Sequence, residues 1–180
     1  RAAGPSPAAP LARADRTRPL PLSGAQRRLW FLEQLDPGSP VYVIPAAARL
    51  RGPLDRQRLQ AALADLAARH EALRTQFALD GDEPAQWIAP AVDVRLGWVD
   101  LGSVPAADRE AELDARLRAE ARRPFDLARA PLWRAVCYRL GPDEHVLLLV
   151  MHHAIADGWS IGQLVGAWAA RYEELRTGRV

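Results

Sequence analysis

Apolar residues recur at helical spacing in four parts of the chain. The clearest stripe follows Asp55, a good N-cap residue, and runs through Leu59, Leu63 and Leu66. The same spacing continues to His70 and predicts a histidine that is packed in the core. The other helices are predicted over 23–35 with Ser23 as the cap, over about 106–122, and from a cap at Ser160 to near the end of the chain.

Shorter apolar segments have the pattern of strands. They cover 41–50, 75–79, 85–88, 92–99, 132–140 and 146–151. The last reads Val-Leu-Leu-Leu-Val-Met and is apolar on both faces, which predicts a central strand covered on both sides. Pro45 indicates an edge position or an irregularity in its strand, and His145, directly after a turn, is expected to be exposed. The order of elements predicts an α/β sandwich with a mixed sheet flanked by helices.

Composition and charge narrow the class of protein. Of 180 residues, 49% are hydrophobic and 26% are charged, which is typical of one folded domain. All 24 basic residues are arginines, and they alternate with carboxylates along the predicted helices, which does not favour nucleic-acid binding. No apolar run reaches the ~20 residues of a membrane span, and no secretory signal is evident, so we expect no membrane partner and a cytoplasmic location. The single cysteine, Cys137, excludes an internal disulfide and is expected to be a buried thiol.

The first 18 residues differ from the rest. They are rich in Ala, Pro and Arg and show no hydrophobic periodicity. Such a segment buries too little apolar surface to offset its ordering entropy. We interpret 1–18 as a flexible linker, with another module expected upstream, and 19–180 as the folded unit.

The candidate chemistry is concentrated between Met151 and Ser160. His152 and His153 end the predicted central strand, and Asp157 and Gly158 lead into the last helix. Successive strand residues point to opposite faces, so the two histidines should not share a pocket, which argues against a metal site. From the residues alone, two interpretations stand: a core histidine with a capping turn, or a histidine that performs general acid–base catalysis.

Three ordered motifs resemble one protein family. Residues 152–158 are similar to the HHxxxDG signature of the condensation domains of nonribosomal peptide synthetases. Residues 22–32 are similar to the family's first motif, SxAQxRLWxL, and residues 69–77 to its second, RHExLRTxF. The resemblance covers the chain from about Pro19 onward. It implies the chloramphenicol acetyltransferase-like fold, and it implies that 19–180 form the N-terminal lobe of a two-lobed domain.

The resemblance also implies roles for residues. His153 would face the channel and act on the attacking amine, as general base or as a positioning group. Gly158 would keep the loop slim and offer its backbone N–H. His152 and Asp157 would be structural. Trp159 and Ser160 would line the substrate channel.

For Asp157, the family implies an ion pair with an arginine of the second motif. We assign Arg74 as the partner, with Arg69 as the alternative. Breaking a buried pair on one side costs about 3–5 kcal/mol. We therefore expect loss of either partner to reduce folded protein.

The family joins thioesters carried on 4'-phosphopantetheine arms, so no cofactor is expected to bind directly. The implied partners are upstream donor and downstream acceptor carrier proteins and a C-terminal lobe. The motifs favour the subtype that joins two L-residues (LCL), and the isolated lobe is expected to be inactive. Two alternatives are a non-catalytic lobe that docks carriers and a stand-alone acyltransferase of the same fold.

Overall fold

The computed structural model describes residues 13–178 and contains four α-helices and seven strands. The helices are α1 (Gly24–Leu35), α2 (Arg56–Arg69), α3 (Ala106–Arg122) and α4 (Gly158–Thr177). The strands are β1 (Leu20–Pro21), β2 (Val43–Arg51), β3 (Thr75–Asp80), β4 (Glu83–Ile88), β5 (Leu96–Asp100), β6 (Trp133–Gly141) and β7 (Glu144–His152). The predicted α/β class is confirmed, and Ser23 and Asp55 cap α1 and α2 as predicted.

The main sheet has the strand order β2-β7-β6-β5. β7 is antiparallel to both neighbours, and β5 runs parallel to β6, so the sheet is mixed. The predicted central position of the doubly apolar strand is therefore confirmed. Pro45 lies in β2, which is an edge strand, as its missing N–H requires.

A second sheet, of three strands, was not predicted as a separate unit. The β3–β4 hairpin forms around Gly81, which adopts a positive φ of 63° at the turn. The two-residue strand β1 then pairs with β4, with Leu20 opposite Gln86. Sequence periodicity cannot reveal a strand this short.

The alternation of β7 builds two cores on opposite faces of the main sheet. Leu147, Leu149 and Met151 pack with α2 and α4. Val146, Leu148 and Val150 pack against α3 in a separate cluster. Each fully buried aliphatic side chain stabilises the fold by about 1.5–3 kcal/mol relative to exposure. β7, which ends at His152, is thus buried along nearly its whole length.

Two histidine predictions are wrong. The apolar stripe in the sequence continues one residue past the end of α2 at Arg69. His70 is therefore the exposed C-cap of this helix and is not part of its core face. His145 is 2% exposed, since β2 and β6 enclose it and the Trp98 ring lies 5.8 Å from its own. Cys137 is buried as expected, and burial raises the pKa of its thiol to about 12.

The predicted linker over 1–18 lies largely outside the described residues. Within its described part, Arg16 donates a hydrogen bond of 2.9 Å to Glu71, at the start of the short 3₁₀ turn Glu71–Arg74. The linker boundary stays a prediction. Among residues 13–178, no helix has the length and apolar character to cross a membrane.

Candidate active site

The backbone of the two adjacent histidines is fixed from both sides of β7. The His152 N–H donates to Leu132 O at 2.9 Å, beside β6. The His153 N–H donates to Tyr42 O at 2.8 Å, just before β2. The His152 side chain is buried and that of His153 is exposed and lines a cleft, so the two do not share a pocket, as predicted.

The His152 side chain is buried, with 1% of the residue exposed. Its Nδ1 accepts a hydrogen bond from the Ala154 N–H at 3.1 Å, so the ring proton of the neutral form is on Nε2. Burial, with a smaller contribution from neighbouring His153, lowers the pKa of His152 to about 4. His152 is therefore neutral at pH 7 and supports the turn that follows.

His153 is exposed, and a short contact within its own loop orients its ring. Nδ1 lies 2.9 Å from Ala156 O. A carbonyl oxygen only accepts, so Nδ1 carries the proton, and in the neutral ring the lone pair is on Nε2. The loop thus prepares one nitrogen of His153 as a proton acceptor or a hydrogen-bond acceptor.

His153 lines an open cleft of about 790 Å³. One wall comes from α1, where Gln26 and Leu29 contribute, and another from Tyr42. The remaining wall is formed by residues 153–157 together with Ser160 and Trp159, which is 76% exposed. Trp159 and Ser160 thus line the same cleft as His153, and their role in a substrate channel stays a prediction.

The start of α4 differs from the prediction. Asp157, not Ser160, is the N-cap: its carboxylate accepts from the Ser160 N–H at 2.8 Å, and the Ser160 hydroxyl accepts from the Asp157 N–H at 2.8 Å. The Ser160 N–H and hydroxyl both donate to this carboxylate, and these two hydrogen bonds lower the pKa of Asp157. Gly158 is the first helical residue, and its N–H is one of the four that have no carbonyl partner within the helix. Apart from its chain neighbours and its own helix backbone, no described atom would lie within 4 Å of a Cβ at Gly158.

The ion pair assigned to Asp157 is wrong. The Arg74 guanidinium donates instead to backbone carbonyls, at 3.0 Å to Ala67 and also to Ala89. Arg69, the last residue of α2, is exposed. Neither arginine forms a salt bridge with Asp157 within residues 13–178, because the carboxylate is committed to the helix cap. Arg74 therefore holds the end of α2 against the segment after β4.

Sequence reasoning missed a contact between the first motif and the histidine loop. Ser23 and Gln26 form a capping box at α1, with hydrogen bonds of 2.9 and 3.2 Å. The Gln26 Nε2 also donates to Ala154 O at 3.4 Å. The Ser-x-x-Gln spacing signals the cap. The contact with the loop joins residues 128 apart and has no local signal.

Over the described part of the chain, no cluster of three or more His, Cys, Asp or Glu side chains has the arrangement of a metal site. The chemistry available at the cleft is that of His153, the adjacent helix N-terminus and the apolar walls. A histidine with one ring nitrogen free beside an open cleft can accept a proton or a hydrogen bond from a group bound there.

The chain belongs to the condensation domain family. The family model for the condensation domain matches residues 17–180. Phosphinothricin tripeptide synthetase PhsC of Streptomyces viridochromogenes is 45% identical over 163 residues, covering 91% of this chain and 15% of the synthetase. Chondramide synthase cmdD of Chondromyces crocatus is 46% identical over 167 residues, covering 93% of this chain and 4% of the synthase.

Solved condensation domains have the same fold. The starter condensation domain of rhizomide synthetase matches with a TM-score of 0.84 and 28% identity over 91% of this chain and 41% of that one. The first condensation domain of the calcium-dependent antibiotic synthetase, in complex with a substrate analogue, matches with a TM-score of 0.84 and 29% identity over 91% and 39%. The predicted acetyltransferase-like fold is confirmed, and the chain spans about two fifths of these solved domains.

Proposed function

We propose that this lobe contributes His153 to amide-bond formation between two thioesters carried on phosphopantetheine arms. The observation that carries the proposal is the 2.9 Å contact between His153 Nδ1 and Ala156 O, beside an open cleft. This contact leaves Nε2 as the acceptor, on a ring that cannot rotate without losing the hydrogen bond to Ala156 O. Membership of the condensation domain family supplies the reaction class.

In the proposed reaction, the amine of the acceptor attacks the thioester carbonyl of the donor. The amine nitrogen forms the new C–N bond with the thioester carbon, and the C–S bond of the thioester breaks. One amine proton passes to His153 Nε2 and then to the departing sulfur, which leaves as the free thiol. General base catalysis of this kind contributes about 10²–10⁴-fold to the rate.

A second role for His153 is to orient the amine and stabilise the tetrahedral intermediate without accepting the proton. The N-terminus of α4 supports either role, since it adjoins the same cleft. Its Gly158 N–H, which the helix does not use, is the donor we assign to the developing oxyanion.

The finer features of the reaction stay proposals. We propose LCL-type condensation, with an upstream donor carrier and a downstream acceptor carrier in the cytoplasm. We also propose that a second lobe completes the channel, because a cleft open on one side cannot hold two arms in the near-attack geometry that gives high effective molarity.

The test uses the full two-lobed domain in single-turnover reactions with loaded donor and acceptor carriers. His153→Ala removes both the acceptor nitrogen and the contact with Ala156. His153→Asn is the matched variant, because its amide can still donate to Ala156 O while offering no atom at the position of Nε2. A thermal melt of each variant checks the fold.

We expect both variants to form amide at least about 100-fold more slowly than the wild type, with unchanged melts. A rate for His153→Asn close to that of the wild type would assign His153 to holding the loop. An unchanged rate in both variants would favour the non-catalytic docking lobe. Equal turnover with free coenzyme A thioesters would favour the stand-alone acyltransferase.

A further inference from the structure

A second cavity, of about 330 Å³, lies on the other side of the histidine loop. One wall is the face of α4 that presents Gln163, Leu164 and Ala167, whose spacing of three and four residues places them together. The opposite wall is the 3₁₀ turn after α2, which contributes Ala72 and Leu73. The sequence pattern did not predict a site role for the residues of either wall.

This cavity and the His153 cleft are neighbours that share part of their lining. Ile155, Ala156, Trp159 and Ser160 line both of them. Met151, near the end of β7, also lines the smaller cavity. A group bound in the smaller cavity is therefore separated from the His153 cleft only by these shared residues.

The lining of the smaller cavity selects an uncharged, apolar group. It is mainly aliphatic, and no carboxylate or guanidinium lines it. Its polar side chains are those of Ser160, Gln163 and His70. Its volume is at the lower end of the ~300–1,000 Å³ of ligand sites, which suits one side chain and not a whole thioester.

We propose that this cavity binds the apolar side chain of one of the two thioester substrates and thereby determines specificity. The proposal rests on the proposed function. Ala167 sets the depth of the cavity, because a larger side chain there fills it from α4. The side chain could belong to the donor or to the acceptor, and the experiment separates these two sources.

The test compares wild type with Ala167→Phe in the full two-lobed domain. In one series the acceptor carrier is loaded with Gly, Ala, Leu or Phe against a fixed donor. In the other the donor is varied in the same way against a fixed acceptor. Ala170→Phe is the matched control, because Ala170 is an exposed alanine of the same helix and lines neither cavity. Ala72→Phe fills the cavity from the opposite wall and serves if Ala167→Phe does not fold.

We expect Ala167→Phe to lower kcat/KM for Leu and Phe at least tenfold more than for Gly, and in one series only. The magnitude follows because one methylene in a pocket is worth about 10–200-fold in kcat/KM. The series that changes identifies the donor or the acceptor as the source. Equal losses for Gly and Phe in both series, or no loss in either filling variant, would overturn the inference while leaving amide formation intact. Absence of amide formation by the wild type would overturn the proposed function and this inference with it.

Discussion

Acidification should destabilise the protein through His152. The ring is buried between the strand end and its turn, with 1% of the residue exposed. Its Nε2 has no hydrogen-bond partner among the described residues. A proton on this ring would place a charge in an apolar site next to His153. The native state therefore resists protonation that the unfolded chain accepts.

The magnitude follows from the two pKa values. The pKa is about 4 in the native state and 6.5 in the unfolded chain. Between these values the unfolded state binds more protons, so stability falls as the pH falls through this window. Linkage gives a loss of about 2 kcal/mol between pH 7 and pH 5, and about 3 kcal/mol by pH 4.

Urea unfolding at pH 7, 6 and 5 measures this loss, with His152→Asn as the control. Asparagine keeps an oxygen near the position of Nδ1 to accept from the Ala154 N–H, but it does not titrate. Burial also lowers the pKa of His145, so acidification destabilises the wild type and the His152→Asn variant alike through His145. The difference between the two pH dependences isolates His152. Identical slopes in wild type and variant would refute the reasoning.

Two further predictions concern charged side chains of the helices. Glu120→Ala should lower the free energy of unfolding by about 1–3 kcal/mol, because it removes the carboxylate partner of Arg134, whose side chain is only 10% exposed and keeps only the carbonyls of residues 120 and 123 as acceptors. Asp114→Ala, which breaks an exposed pair on the same helix, should cost under about 1 kcal/mol, and equal losses in urea melts would contradict this account. Asp157→Ala should cost about 1 kcal/mol and Asp157→Asn only tenths, because asparagine also caps helices. An Asn variant as unstable as the Ala variant in the same melts would favour an ion pair over the cap.

Local signals predict most of the fold. The helix over 106–122 has the observed bounds of α3, and the caps at Ser23 and Asp55 are found as predicted. The doubly apolar run gives the central place of β7 without any knowledge of its neighbours. Periodicity and capping act within a few residues, so a single sequence contains them in full.

What local signals cannot predict is set by contacts between distant segments. Burial of His145 depends on β2, on β6 and on Trp98, which are separated from it along the chain. The same limit applies to Arg74, whose carbonyl acceptors include Ala89, across the β3–β4 hairpin. The shift of the α4 cap from Ser160 to Asp157 has another cause: both residue types are good N-caps, and the capping box between them uses Asp157 as the cap and Ser160 as the third helical residue.

The adjacency of the two histidines has a consequence for chemistry at neutral pH. Strand alternation sends one ring into the core and the other into the cleft, and burial keeps the first uncharged because its pKa is about 4. A charge on His152 would oppose a proton arriving on His153, whereas a neutral His152 does not. The buried ring also fixes the Ala154 N–H, and with it the turn that brings Ala156 O to His153 Nδ1. His152→Asn should therefore leave amide formation largely intact at pH 7, whereas a charged substitute such as His152→Lys should impair both folding and rate.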